Sequence, residues 1–409
     1  MSAGSAPLRY ALTLLLSACG GSVGEPRPEP PGVASVEVIP GATLIVGEGG
    51  EADFRAVART GTGTVASGLF RWSVEDPAVA TLVSEAAAKA VVRGVAPGVT
   101  RVIATVDGTR GSATLEVFVP KEVARYEPGR SYFGRKGYVE YVPGELPLIL
   151  SASHGGGIAP AEIPDRRGGT HVTDTNTREL TLAMRDALVE LTGRAPHVII
   201  SHLVRPKLDS NREIVEAAEG NPYAEQAWHE FHDWIGTARA TVAADFGVGL
   251  FLDIHGHGHA IDRLELGYLL RAPDLNQPDA ALDRAEVISR SSIRALAQAS
   301  PLPFSRLLRG ATSLGGFLEA EDVPSVPSPE DPSPGDAPYF RGGYNTRQHG
   351  SLATGETVSG IQIEHHYRGV RDTDRNRRDY AARAARALHR YMLEHYGEHY
   401  RGIAGSTPP

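Results

Sequence analysis

A run near the middle of the chain, Val248 to His259 (VGLFLDIHGHGH), sets Asp253, His255, His257 and His259 at the end of an apolar stretch, with glycines between the histidines. Imidazole and carboxylate groups at the carboxyl end of a buried strand are suited to holding a transition metal. A glycine-rich loop carrying solvated histidines is the plain alternative for this run alone. Polar residues also follow other strand-like stretches. His154 follows LPLILSA, within Ser153-His154-Gly155-Gly156-Gly157. Arg205, Asp209, Asn211 and Arg212 follow HVIIS, and Glu364 ends GIQIE ahead of His365 and His366. Four strands that deliver titratable residues to one edge mark a ligand site in an open α/β sheet.

The chemistry these types support is metal-assisted hydrolysis. Zinc held by three protein groups keeps a position for water and lowers that water's pKa to about 7. A neighbouring carboxylate can take the proton and pass it to a leaving amine. Glu364 is the candidate base, because an unused carboxylate at the end of a buried strand would be costly. Arg212 offers a planar fork for a substrate carboxylate, with Asn211 beside it. Arg205 is placed to polarise a carbonyl or hold a second anionic group. A local salt-bridge network of Arg205, Asp209 and Arg212 is the plain alternative. A serine hydrolase is disfavoured, since the G-x-S-x-G match at Gly20 to Gly24 falls in a Pro/Gly-rich stretch and no such elbow follows a strand. His257 and His259 point the same way as His255 along an extended chain. They are read as extra ligands, substrate contacts or exposed loop residues. His171, His197, His202, His229, His232 and His349 are read as structural or surface groups.

These groups need a scaffold. From Leu146 onward, apolar strands (LPLILSA, HVIIS, VGLFLDI, LGYLL at 266–270, GIQIE at 360–364) alternate with helical stretches. The stretch from Thr177 to Leu191 has apolar residues at Leu180, Met184, Leu188 and Leu191, with Asp174 or Thr175 as its cap. Tyr223 to Phe246 is a long helix with Trp228, Phe231 and Trp234 near one face, and a last helix runs from about Asn376 to Tyr396. This alternation predicts an α/β domain with a mostly parallel, mixed sheet in three α/β/α layers. Pro324 to Pro338 reads as a proline-rich surface loop.

The first part of the chain is different. Residues 1–19 read as a targeting segment: Arg9 precedes an apolar stretch, Tyr10 to Leu16, too short to span a bilayer, and Leu16-Ser17-Ala18-Cys19 follows. This resembles a bacterial lipoprotein signal, which implies a lipidated Cys19 and a membrane-anchored, extracytoplasmic protein. Cys19 is the one cysteine of the sequence, so no intramolecular disulfide is possible. Residues 20–32 (GGSVGEPRPEPPG) form a Pro/Gly-rich tether. Residues 33–119 alternate apolar and polar types between turn signals at Pro40-Gly41, Asp76-Pro77, Pro97-Gly98 and Asp107-Gly108, an all-β pattern. The EAAAKA stretch at 85–90 is ambiguous and fits helix as well. LIVGE at 44–48, Arg71-Trp72-Ser73 with Asp76-Pro77, and GVAPG at 94–98 resemble the group 2 bacterial immunoglobulin-like family. That resemblance implies an immunoglobulin-like sandwich serving as a spacer, or contacting cell-wall or surface components. Residues 120–144 form a junction. At 409 residues, 41% apolar and 22% charged, the chain has ample core for two or three domains. A net charge of −8 leaves no basic footprint for nucleic acid.

Residues 145–400 resemble the N-formylglutamate amidohydrolase family, which is similar in fold to zinc carboxypeptidases and aspartoacylase-like deacylases, a phosphorylase/hydrolase-like architecture. The carrying motifs are Ser153-His154-Gly155-Gly156, Thr173-Asp174, Leu208-Asp209-Ser210-Asn211-Arg212-Glu213, Leu252-Asp253-Ile254-His255-Gly256, Gly342-Gly343-Tyr344 and Ile361-Gln362-Ile363-Glu364, in that order. The resemblance implies one zinc ion per chain on His154, Asp174 and His255, with Glu364 as base and Arg205, Asn211, Arg212 and Tyr344 on the substrate. The wider class places an acidic ligand three residues after the first histidine, and here that position is Gly157. Asp174 is the expected replacement, with Asp165 and Glu162 as rivals. The expected reaction is hydrolysis of the amide of an N-acyl amino acid, or of a small peptide with a free carboxylate. An envelope metallo-carboxypeptidase and a non-catalytic surface adhesion protein are the alternatives.

Overall fold

The computed structural model describes Met1 and residues 32–401. Cys19 and nearly all of the tether lie outside the described residues. Residues 33–118 form two sheets. One sets Val33–Ile39, Glu51–Thr60, Lys89–Gly94 and Ala80–Ala86 side by side, with Val65–Ala66 against Glu51–Thr60. The other sets Ala42–Val46, Thr109–Phe118, Gly98–Val106 and Arg71–Val74 in order. Alternation drives the packing. Ala113, Leu115 and Val117 point inward and share a core with Val38, Phe54, Val92 and Trp72. The ambiguous EAAAKA stretch is a hairpin that turns at Ala87, with φ 51°. Burial of Ala90 and Val92 in that core outweighs the helical preference of alanine.

The rest of the described chain is built on one eight-stranded sheet. Its order is Tyr132–Phe133, Val139–Val142, His197–Ser201, Leu148–Ala152, Gly249–Gly256, Val358–His365, Leu264–Gly267, Ser325–Val326. Leu148–Ala152 pairs parallel with both neighbours, and Gly249–Gly256 pairs parallel with Val358–His365. Antiparallel pairings come in on either side of this centre, so the sheet is mixed. Neighbouring residues in the central strands face opposite ways. Leu150, Leu250, Leu252 and Ile254 meet Leu180, Met184 and Leu188 of the helix Thr177–Thr192 and Tyr380, Leu388 and Tyr391 of the helix Asp374–Arg401. Ile149, Ile199 and Phe251 meet Phe231, Ile235 and Val242 of the helix Pro222–Phe246. Cover on both faces explains why these strands read as unbroken apolar runs.

Three expectations change. The helix at Thr177 begins after Asn176, whose φ is 66°, and no side chain caps it. Asp174 is drawn into the cluster described below instead. The stretch 324–338 is not simply a surface loop. Ser325–Val326 is buried and closes one edge of the large sheet by pairing with Leu264–Gly267. The junction 120–144 supplies two strands at the opposite edge.

The two parts touch through a buried charge. The Arg135 guanidinium, 2% exposed, meets Glu116 at 2.5 Å and Glu162 at 2.6 Å. Its Cζ lies 4.4 Å from the Tyr223 ring centre, and the Tyr223 hydroxyl donates to the Thr43 carbonyl. Leu44 packs with Tyr138 and Tyr223 in the core beneath the Pro222–Phe246 helix. No helix among the described residues is long and apolar enough to cross a membrane.

Candidate metal centre

The carboxyl ends of the four central parallel strands meet at one cavity of about 490 Å³. His154, Asp174, Arg205, Asn211, Arg212, His255 and Glu364 all line it. Of the eight residues singled out from the sequence, Tyr344 alone is absent from the lining. It opens the short helix Tyr344–His349, with its ring centre 5.4 Å from that of His232 and 6.1 Å from that of Trp228.

His154, Asp174 and His255 are buried, and one ligand atom from each falls within 4.8 Å of the others. Asp174 Oδ2 lies 3.3 Å from His154 Nδ1 and 3.2 Å from His255 Nδ1, and accepts from the Gly256 amide. The other nitrogen of each ring meets a fully buried carboxylate. His154 Nε2 is 2.6 Å from Asp209 Oδ1, and His255 Nε2 is 2.7 Å from Asp253 Oδ2. These partners assign the tautomers: each Nε2 carries the hydrogen and donates it outward. Each Nδ1 is then a lone pair aimed at an anionic oxygen. Three acceptors cannot converge in a buried site without a positive charge between them, either a proton or a metal cation. Two imidazole nitrogens and one carboxylate oxygen are a zinc donor set, and the residues fit the ion.

The electrostatics agree. Burial opposes ionisation of Asp174, yet His154 and His255 hold its carboxyl well below the usual range. Burial likewise opposes charge on Asp209, which His154 and Arg205 keep ionised. Burial also works against charge on His255, but Asp253 and Asp174 raise its affinity for a proton well above the ordinary value. Glu364 differs. Burial pushes its carboxyl up to about 7, with His255 opposing and Asp174 reinforcing. Its Oε1 accepts from Gln362 Nε2 at 2.9 Å, and its Cα is the cross-strand partner of His255.

The rivals for the acidic position lie elsewhere. Glu162 is taken by Arg135, Lys136 and Tyr138, and Asp165 is exposed and paired with Lys207. Asp174 comes in because its amide donates to the His154 carbonyl and its carbonyl accepts from Thr177 Oγ1. Arg205 donates from Nε to Asp209 at 3.0 Å, so part of the expected salt-bridge network exists. Arg212 uses Nε on Glu216 and one terminal nitrogen on the Asn211 carbonyl. Asn211 accepts from the Asn345 amide, and a Cβ at Gly343 would fall 2.4 Å from its side chain, so only glycine fits there.

Three residues with structural roles here were not given these roles by the sequence. Asp209 and Asp253 orient the histidines. Asp253 could have been read from its place two residues before His255 on one strand face, but Asp209 lies 55 positions from His154. Arg371 is the third. Its buried guanidinium donates to the carbonyls of His257, His365 and Thr175, tying together the end of the strand Val358–His365 and the segments at 175 and 257. A Cβ at Gly256 would fall 2.4 Å from the Arg371 Cζ. His365 bridges the His255 carbonyl and the Tyr380 hydroxyl and is structural. His232 and His349 pair with each other at 2.8 Å, and His197 stacks with Tyr141.

No family model matches the chain, and no curated protein matches it. Among solved structures, domains 4 and 5 of the S-layer protein SbsC are 17% identical, with a TM-score of 0.20 over 22% of this chain and 53% of that one. The chain therefore spans about half the length of that fragment. The gene product Atu2144 from Agrobacterium tumefaciens is 16% identical, with a TM-score of 0.35 over 67% of this chain and 100% of that one. The Yersinia pseudotuberculosis adhesin InvE is 14% identical, with a TM-score of 0.16 over 26% of this chain and 32% of that one. At these scores the likenesses carry no weight for fold or activity.

Proposed function

We propose that the chain is a metal-dependent amidohydrolase, N-formylglutamate amidohydrolase-like, acting on an N-acyl amino acid or a small peptide with a free carboxylate. One observation carries the reading. Two imidazole lone pairs and a carboxylate oxygen converge at the base of a cavity, each imidazole backed by a buried carboxylate. His154, Asp174 and His255 would hold the ion. A divalent cation there supplies Lewis acidity toward a water and the substrate carbonyl.

The chain's own residues do the rest. Glu364, at the end of its strand beside His255, takes a proton from the attacking water and returns it to the leaving nitrogen. Its bond from Gln362 fixes the carboxyl's orientation. Arg212 and Asn211 line the same cavity and orient the substrate through its carboxylate. Arg205 holds Asp209, and through it the ring of His154. Tyr344 follows the lining residue Gly343 but does not line the cavity itself, and it takes no step here. The β-rich first unit belongs, on this reading, to the immunoglobulin-like sandwiches. The large sheet with helices on both faces is the three-layer hydrolase fold. Anchoring through Cys19 would place both outside the cytoplasm.

The test is elemental analysis of the full chain beside His255→Ala, together with hydrolysis of N-acyl amino acids beside Glu364→Gln. Loss of one zinc per chain in the first variant, and loss of turnover with zinc retained in the second, is the expected result. A His255→Ala protein with the same metal content as wild type would overturn the assignment.

A further inference from the structure

The histidines beyond His255 form a second cluster that the hydrolase reading does not use. One ligand atom each from His257, His259 and Glu265 falls within 4.8 Å of the others. His257 Nε2 lies 2.8 Å from the Arg263 carbonyl, which can only accept, so that nitrogen carries the hydrogen. His257 Nδ1 is then a lone pair. Its present partner is the His259 amide at 3.1 Å. This repeats the arrangement at His154 and His255, where the outer nitrogen is tied down and the inner one is left as an acceptor. Glu265 is 1% exposed, and no Lys or Arg among the described residues pairs with it. Its Oε1 lies 2.7 Å from His259 Nδ1, and its Oε2 accepts from the Phe340 amide at 2.7 Å. His259 retains 23% exposure of its side chain, which leaves the cluster an entry. His366, whose Nδ1 is buried without a partner, has its ring centre 6.4 Å from that of His257.

We propose that His257, His259 and Glu265 form a second divalent transition-metal site, separate from the one on His154, Asp174 and His255. Two imidazoles and a carboxylate suit zinc, cobalt or nickel. The ion would take the place of the hydrogen between His259 Nδ1 and Glu265 Oε1 and of the bond from the His259 amide to His257 Nδ1; His259 then carries its hydrogen on Nε2, and the proton in excess of that leaves to solvent.

The placement gives the site a task. Glu265 also holds the Phe340 amide, and the Phe340 ring stacks on His259 at 4.7 Å. Tyr339 donates to the Leu266 carbonyl, and the Leu269 amide donates to Arg341. Residues 339–343 thus form a wall of the substrate cavity, laid on the strand that carries Glu265. A metal on Glu265 and His259 fixes that wall.

The experiment loads the full chain with zinc, removes loose metal on a chelating resin and counts zinc per chain. Wild type is expected to hold two, His255→Ala one, His259→Ala one, and the double variant none. Glu265→Gln, which keeps the side chain's shape, is expected to match His259→Ala. Zinc should also raise the melting temperature of His255→Ala but not of the double variant. A His255→Ala protein that retains no zinc would overturn the second site. So would zinc counts that are equal in wild type, His259→Ala and Glu265→Gln. If only the first site is wrong, His255→Ala will match wild type while His259→Ala loses metal.

Discussion

Asp253 and His255 stand two residues apart on one strand, and the Asp253 Oδ2 lies 2.7 Å from His255 Nε2. Ser151 from the adjacent strand and Asn345 hold the other oxygen of the same carboxylate. The aspartate fixes which ring nitrogen faces the cavity. Asp253→Asn should therefore weaken zinc binding at the first site by about 10- to 100-fold, the usual effect of losing such a partner. Competition with a chromophoric chelator measures it, and an unchanged affinity would refute the orienting role.

Glu364→Gln keeps the shape and the bond to Gln362 while removing the base. Turnover should fall by roughly 10²- to 10⁴-fold with zinc content intact. Loss of zinc alongside turnover would make Glu364 a ligand instead.

Arg212→Lys keeps the charge but loses the planar fork, and it should raise KM for carboxylate-bearing substrates more than it lowers kcat. Amides whose carboxylate is esterified should show little difference between the two proteins. Steady-state kinetics on the acid and ester pair decides this.

Arg135→Ala should destabilise the chain by about 3 kcal/mol, the low end for breaking a buried pair, because Glu116 would lose its cation while Glu162 keeps Lys136 and Tyr138. Urea unfolding followed by tryptophan fluorescence reads the change. A shift confined to one of two separate transitions would show that the two parts unfold independently.

Buried neutral histidines predict acid sensitivity. Burial lowers His197 and His232 to about 4, and His349 is lowered as well. In the unfolded chain these groups take up protons near pH 6.5, so stability is full above that pH and falls as pH drops toward about 4. For His197 alone the loss approaches about 3 kcal/mol, at 1.36 kcal/mol per pKa unit. Urea midpoints between pH 7 and 4 test it, and a flat profile would contradict it.

Local pattern carried much of this protein. The strand HVIIS at 197–201 and the helices near 177–192 and 223–246 are visible because period and apolar runs are properties of neighbouring residues. The residue types at strand ends were visible for the same reason: His154, His255 and Glu364 each follow an apolar run that must be buried. Asp253 was within reach too, since a two-residue step along a strand returns to the same face. Tertiary structure alone decided the remainder. The sequence already favoured Asp174, but only the fold shows that its rivals are engaged elsewhere, Glu162 by Arg135 and Asp165 by Lys207 at the surface. Pairing Asp209 with His154, Glu265 with His259 and Arg371 with three distant carbonyls depends on strand order and register, which bring together residues tens of positions apart. The hairpin at 80–94 turned on the same cause: alanine favours helix locally, and a core formed by distant strands overrode it.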